Sequence, residues 1–141
     1  MRAIDFTLDP RLQADTHHIA SLPLCEVLLM NDARFPWLIL VPRHAGLAEI
    51  LDLPSETQQV LWQEISRAAE VLRTAVACDK LNIGALGNIV RQLHIHVIAR
   101  REGDDAWPGP VWGYGRTEPY ADDSLSSQIA LLKYRFGVPQ E

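Results

Sequence analysis

Apolar and polar residues alternate without interruption from Gln92 to Val97. A two-residue period is typical of a β-strand with one buried face. The apolar set, which would pack against the core, consists of Leu93, Ile95 and Val97. The polar set, which would share the opposite face, consists of Gln92, His94 and His96. Neighbours on one face of a strand lie roughly 7 Å apart, so the pattern predicts two imidazoles side by side.

Three further segments have the hydrophobic pattern and composition of strands. They are residues 24–30, residues 35–41 and residues 80–83. The second segment stops at Pro42, which cannot donate a hydrogen bond to a neighbouring strand. Residues 1–23 are mixed in pattern, and we expect the pair His17 and His18 there in a strand or turn at the surface.

One long helix is predicted after residue 52, because an apolar stripe recurs at helical spacing for more than four turns. The stripe consists of Leu61, Ile65, Ala68, Leu72 and Val76. Two starts fit the sequence equally well. Ser55 with Gln58 can form a capping box, and Asp52 with Pro54 can open the first turn.

The last third of the chain divides into a loop and a short helix. Residues 107–113 hold two tryptophans among prolines and glycines, which predicts irregular structure. Residues 122–133 carry apolar side chains on one side and predict a second helix.

Composition limits the class of protein. A chain of 141 residues suffices for one domain, and we treat residues 1–141 as a single domain. The formal net charge is −5 with no offsetting Lys/Arg cluster, which argues against nucleic acid as the main partner.

With no apolar run near the ~20 residues of a membrane span, we expect neither a membrane segment nor a signal peptide. Cys25 and Cys78 lie in strand-like and helix-like segments, so we expect two unpaired thiols in a reducing cytoplasm.

Chemistry concentrates at His94 and His96. Imidazoles titrate near neutral pH, so both can exchange protons with a substrate. The glycine-containing residues 84–88 lead into the histidine strand and can form a phosphate-binding loop. The alternative is a metal site with a third ligand from His44 or Glu102. A cupin barrel would supply such ligands, but the long helix opposes that all-β fold.

The run of residues 87–100 resembles the signature of the histidine triad (HIT) family of nucleotide hydrolases and transferases. The family pattern is Gly-Gln-x-Val-x, followed by His-x-His-x-His and two apolar residues. Asn31 after an apolar strand, the strand end at Pro42, the long helix and residues 82–84 also follow the family's order. The resemblance therefore covers about residues 24–101.

The resemblance implies an α+β, HIT-like fold. An antiparallel sheet of about five strands would carry the long helix on one face, and a short helix would lie near the carboxyl terminus. It further implies a homodimer formed through the long helix and neighbouring strands. Neither a cofactor nor a metal is required.

The resemblance also assigns roles to residues. His94 corresponds to the nucleophile, and His96 to the residue that contacts the scissile phosphate and the leaving group. The implied substrate contacts are Asn31 at the ribose hydroxyls, with Asp32 as its alternative, and Asn82, Gly87 and Asn88. Attack by His94 on an α-phosphate would give a nucleotidyl-histidine, which water then hydrolyses. Dinucleoside polyphosphates, phosphoramidates and nucleotide sugars all remain open as substrates.

Three positions depart from the family pattern. Gln92 stands at the first triad histidine, Asn88 where Gln or Ser is usual, and Trp37 where a histidine is frequent. We count Gln92 among the catalytic candidates and expect its side chain to neighbour Trp37 and to bridge toward His94 or a phosphate. The change at Gln92 leaves an alternative open, in which the chain is a non-catalytic, nucleotide-binding regulatory module.

Overall fold

The computed structural model describes residues 6–139. Its strands are β1 Thr16–Ser21, β2 Cys25–Met30, β3 Trp37–Pro42, β4 Lys80–Gly84 and β5 Ile95–Arg100. Its helices are α1 Pro10–Asp15, α2 Ser55–Ala75 and α3 Asp122–Arg135, with a 3-10 turn at Ile50–Asp52. The strands form one antiparallel sheet in the order β1-β2-β3-β5-β4. The predicted α+β fold is confirmed, whereas the mixed pattern of the first residues gave no indication of α1.

The two faces of the sheet are covered differently. On one face, α2 and α3 pack against the sheet around Leu61, Leu72 and Leu132, each at most 1% exposed. On the other face, a smaller cluster surrounds Phe35 and Trp37. Strand β3 lies in the middle of the sheet, and all six of its residues are buried. That double burial explains its continuous apolar sequence.

Helix α2 follows the predicted stripe but starts differently. Pro54 occupies the N-cap with extended backbone, and no side chain caps the helix. The capping box is therefore wrong, because the Gln58 amide donates to the Leu53 carbonyl instead, at 2.9 Å. Val76 lies just past the helix as its C-cap. Among the described residues, no helix combines the length and the apolar character needed to cross a membrane.

Strand β5 begins later than the alternation predicts. His96 pairs with Ile39 on one side and with Gly84 on the other, whereas Gln92 to His94 lie outside the ladder. The backbone amide of Leu93 donates instead to the carbonyl of Leu47, at 2.8 Å. This contact gives the residues before β5 a partner outside the sheet.

A buried cation holds the irregular segment after β5. Arg100 is 1% exposed, and its guanidinium donates to both carboxylate oxygens of Asp104 at 2.7 and 2.9 Å. It also donates to the Asn82 side chain on β4 and to the carbonyl of Gly109. These bonds connect two strands to the loop that leads to Trp112.

Candidate active site

A cleft of about 530 Å³ opens beside His94 and His96, on the sheet face opposite α2. One wall is the loop of residues 86–90 between β4 and β5. The other wall is formed mainly by residues 111–117, together with Met30 and Arg34. The histidines thus lie at the floor of a groove bounded by two loops.

His94 immediately precedes β5 and is 6% exposed. Its Nδ1 lies 2.7 Å from the main-chain carbonyl oxygen of Gln92. A carbonyl oxygen only accepts, so Nδ1 carries the proton and Nε2 retains its lone pair. An imidazole held in this tautomer presents a nucleophilic nitrogen to the cleft that it lines.

His96 has the opposite arrangement. The indole Nε1 of Trp37 donates to Nδ1 of His96 at 3.0 Å. Since an indole nitrogen only donates, Nδ1 accepts and the proton of the neutral ring lies on Nε2. Burial, and then the nearby His94, lower the pKa of His96 to about 3. The expectation that both histidines exchange protons near neutral pH is therefore wrong for His96.

Aromatic rings enclose His96. The ring centroids of His94 and His96 lie 4.9 Å apart, and the Trp112 ring lies edge-on to His96 at 5.4 Å. The tilted Trp37 ring lies 5.7 Å from His96 on centroids. The floor of the cleft is consequently apolar around two imidazoles with fixed tautomers.

The glycine loop reaches the cleft as the sequence predicts. Gly87 and Asn88 both line it. Gly87 has φ of +71°, a left-handed conformation that side chains other than glycine's rarely adopt. The glycine therefore permits the turn that places residues 86–90 along the groove.

Arg34 is the charged residue among the described residues that line the cleft. Its guanidinium pairs with both oxygens of the buried Asp32, at 3.0 and 2.8 Å, and donates to the Tyr114 carbonyl at 2.7 Å. It lies 5.0 Å from the Phe35 ring centroid and 5.9 Å from that of Tyr114. Sequence reasoning missed Arg34, because its contacts join segments about eighty residues apart.

Gln92 serves a different purpose from the one predicted. Its side-chain oxygen accepts from the amide of Asp9 at 2.8 Å, and its Nε2 donates to the carbonyl of Thr7 at 2.9 Å. The predicted bridge from this amide toward His94 is wrong, since the main chain of Gln92 makes that contact. The Trp37 indole donates to His96 rather than to Gln92, and the expected proximity of the Gln92 and Trp37 side chains stays a prediction.

Comparison with known proteins identifies the family. A family model described as "HIT domain" matches residues 11–103. The chain belongs to the histidine triad (HIT) family. A solved HIT protein from Sinorhizobium meliloti 1021 has a TM-score of 0.92 at 49% identity, covering 95% of this chain and 99% of that one. A histidine triad protein from Marinobacter aquaeolei VT8 has a TM-score of 0.91 at 48% identity, covering 94% of this chain and 96% of that one.

A more distant HIT structure has the same fold. A hypothetical histidine triad nucleotide-binding protein from Sulfolobus tokodaii strain7 has a TM-score of 0.66 at 14% identity, covering 86% of this chain and 84% of that one. No curated protein matches the chain.

Within this HIT fold, three residues that were predicted to contact the substrate form hydrogen bonds to other groups of the protein. The side-chain oxygen of Asn31 accepts from the Tyr120 amide at 3.0 Å, and Asp32 accepts from the Glu118 amide at 3.3 Å. Asn82 accepts from Arg100 on the edge of the sheet. Direct contact between these three residues and a substrate stays a prediction.

The described residues provide no group of three or more His, Cys, Asp or Glu side chains suited to hold a metal ion. A site built on His94 and His96 with His44 or Glu102 as third ligand is therefore not assembled in this part of the chain. The two cysteines are unpaired, with Cys25 buried and Cys78 partly buried.

Proposed function

We propose that this HIT protein cleaves a nucleotide conjugate at its α-phosphate through a covalent nucleotidyl-histidine. The observation that carries the proposal is the bond from Nδ1 of His94 to the Gln92 carbonyl, which leaves Nε2 as a nucleophile in the cleft. The neighbouring His96 presents Nε2–H, a hydrogen-bond donor for a phosphate or leaving-group oxygen.

The reaction proceeds in two displacements. In the first, Nε2 of His94 forms a bond to the α-phosphorus while the bond to the leaving group breaks. The leaving group departs with that electron pair and takes a proton from water. In the second, water attacks the phosphorus, the bond to His94 breaks, and a nucleoside monophosphate and neutral His94 result, with the surplus proton passing to solvent.

The two walls would bind the rest of the substrate. Gly87 and Asn88 would contact the phosphate oxygens from the loop between β4 and β5. Asn31 and Asp32 would act indirectly, because their side chains hold residues 118–120 directly after the second wall. We assign Gln92 the role of supporting the backbone before His94.

The cellular setting follows from the same residues. Two unpaired cysteines fit a reducing cytoplasm. A nucleotide substrate with no nucleic-acid or membrane partner fits the net charge of −5 and the size of the cleft beside His94 and His96.

The proposal is tested with adenosine 5′-phosphoramidate in the presence of a chelator. The wild-type protein should release AMP, and rapid acid quenching followed by mass spectrometry should find adenylate on His94. His94→Ala should show neither AMP release nor adenylate while still binding AMP. His44→Ala, which changes a histidine outside the cleft, is the matched control and should behave as wild type.

Three results would contradict the proposal. Turnover by His94→Ala would show that His94 is not the nucleophile. Turnover that a chelator abolishes would indicate a metal enzyme. Binding without turnover by the wild type would indicate a regulatory module.

A further inference from the structure

His96 lies between two tryptophans that contact it in different ways. Trp37 is 5% exposed and donates its indole N–H to Nδ1 of His96 at 3.0 Å. Trp112 packs edge-on against the same imidazole, but its own indole nitrogen has no hydrogen-bond partner among residues 6–139. Among residues 6–139, the Trp37 contact is the one hydrogen bond that distinguishes one ring nitrogen of His96 from the other.

The hydrogen bond from Trp37 opposes both loss of a proton from His96 and uptake of a proton by it. If the ring gave away its Nε2 proton, an imidazolate would remain, because Nδ1 carries no proton. If Nδ1 took up a proton, two N–H groups would face each other in a buried space, and the hydrogen bond would be lost. The nearby titratable and charged groups do not offset the free-energy cost of placing a proton on Nδ1. His94 lies 4.9 Å away on ring centroids, and the charge of Arg34 is paired with Asp32.

We propose that Trp37 is a positioning residue that makes His96 a permanent hydrogen-bond donor rather than a general acid or base. The role rests on the proposed function, since the donor acts on the departing oxygen or nitrogen of that reaction. The leaving group must then obtain its proton from solvent. The class of substrate favoured is one whose leaving group departs readily or arrives already protonated, such as an amine of a phosphoramidate.

The first test reads the tautomer of His96 directly by ¹⁵N NMR of the unmodified protein labelled at histidine. We expect proton-bearing Nε2 and unprotonated Nδ1, with no titration of His96 between pH 5 and 8. A proton on Nδ1, exchange between the two tautomers, or titration within that range would overturn the proposal. This measurement needs no activity, so it stands or fails separately from the proposed function.

The second test removes the donor and keeps an aromatic ring. In Trp37→Phe, His96 should exchange between tautomers, because its Nδ1 no longer accepts a hydrogen bond from an indole N–H. Trp37→His retains a ring N–H and should restore part of the wild-type signature. Trp112→Phe is the matched comparison, because it changes the other indole and keeps the hydrogen bond. An unchanged His96 spectrum in Trp37→Phe would show that packing alone sets the tautomer.

The third test is kinetic and uses adenosine 5′-aryl phosphates with leaving groups of graded pKa. In the wild type, log kcat should fall steeply as the leaving-group pKa rises, because no enzyme group supplies the proton. A flat dependence would reveal a general acid and overturn the proposal. Trp37→Phe should lower kcat about threefold to tenfold, the factor associated with one neutral hydrogen bond.

Discussion

At the scale of single residues, two neighbouring imidazoles have opposite hydrogen-bond roles. The Gln92 carbonyl leaves His94 with a free lone pair, and the Trp37 indole leaves His96 with a free N–H. In the proposed function, two chemically identical side chains act as a nucleophile and a hydrogen-bond donor because their partners differ. Such assignments follow from contacts rather than from residue type.

Replacement of His96 should lower kcat, and another side chain with an N–H donor should recover part of the loss. His96→Ala should lower kcat by about 10²–10⁴-fold, because stabilisation of the departing charge is lost. His96→Gln retains an N–H donor on a side chain of similar reach and should recover part of that loss. Steady-state kcat on adenosine 5′-phosphoramidate measures both variants, with thermal unfolding as the check on folding. A change of less than twofold in both would remove His96 from the mechanism.

Replacement of Gln92 should affect stability more than chemistry. Gln92→Ala removes two hydrogen bonds to Thr7 and Asp9, so the free energy of unfolding should fall by about 1–2 kcal/mol. The kcat value should change less than tenfold, because the main chain of Gln92 still holds His94. Urea unfolding and steady-state kinetics test this, with the exposed Gln59→Ala on α2 as control. Inactivation comparable to that of His94→Ala would contradict the supporting role.

Alternation and a glycine loop were sufficient to predict four cleft residues: His94, His96, Gly87 and Asn88. They could not predict what Gln92 or Asn31 would bind. The partners of both residues lie more than eighty positions away in sequence, and local pattern carries no information about such contacts. The same limitation concealed Arg34 and the hydrogen bond from Trp37.

At the scale of elements, the ion pair between Arg100 and Asp104 joins β5 to the irregular loop after it. Both side chains are at most 5% exposed. Asp104→Asn leaves a buried cation without its counter-charge and should lower the free energy of unfolding by about 3–5 kcal/mol at pH 7. Glu70→Gln, which breaks the exposed pair with Arg73, is the control and should cost less than about 1 kcal/mol.

The effect of Asp104 should depend on pH in a definite direction. Hydrogen bonds from Arg100 lower the pKa of Asp104 below its ordinary value of 3.8. The carboxylate therefore stabilises the fold fully above the unfolded-state pKa, and that contribution disappears as the pH falls through the lowered folded-state pKa. Urea unfolding at pH 7 and at progressively lower pH should show the difference between wild type and Asp104→Asn shrinking. A constant difference would show that the charge is not responsible.

Hydrophobic periodicity predicted the existence of α2, α3 and four strands, because burial on one face imposes a period of 3.6 or 2. It located some of their ends, such as Met30, Lys80 and Asp122, but not others, such as the start of β5 at Ile95, which depends on backbone contacts. Glu64 shows the limit within α2. It looks like a surface residue of the helix, yet its buried carboxylate accepts the amides of Leu24 and Cys25 at 2.9 and 2.8 Å.

At the scale of the whole molecule, several large apolar side chains remain exposed, and three of them lie on α2 and on the edge strand β4. Trp62 and Val60 on α2 are 62% and 37% exposed, and Ile83 on the edge strand β4 is 42% exposed. Exposed apolar surface beside an unpaired strand edge is typical of an interface. We accordingly predict a homodimer formed through α2 and β4.

Trp62→Glu should dissociate that dimer, because the substitution places a charge within its apolar contact. Sedimentation equilibrium should give twice the chain mass for the wild type and the chain mass for the variant. Ser127→Glu adds the same charge at an exposed position of α3, outside the predicted contact, and should remain dimeric. A monomeric wild type at micromolar concentration would contradict the prediction.

The attachment of Gln92 to Thr7 and Asp9 has a practical consequence for handling the protein. A purification tag fused ahead of residue 7 would be joined to the stretch of chain that hydrogen-bonds to Gln92, two residues before His94. A tag after α3 would follow a helix that packs on the face opposite the cleft. Preparations that differ only in which end carries the tag should therefore differ in measured turnover, and the carboxyl-terminal version should report the native rate.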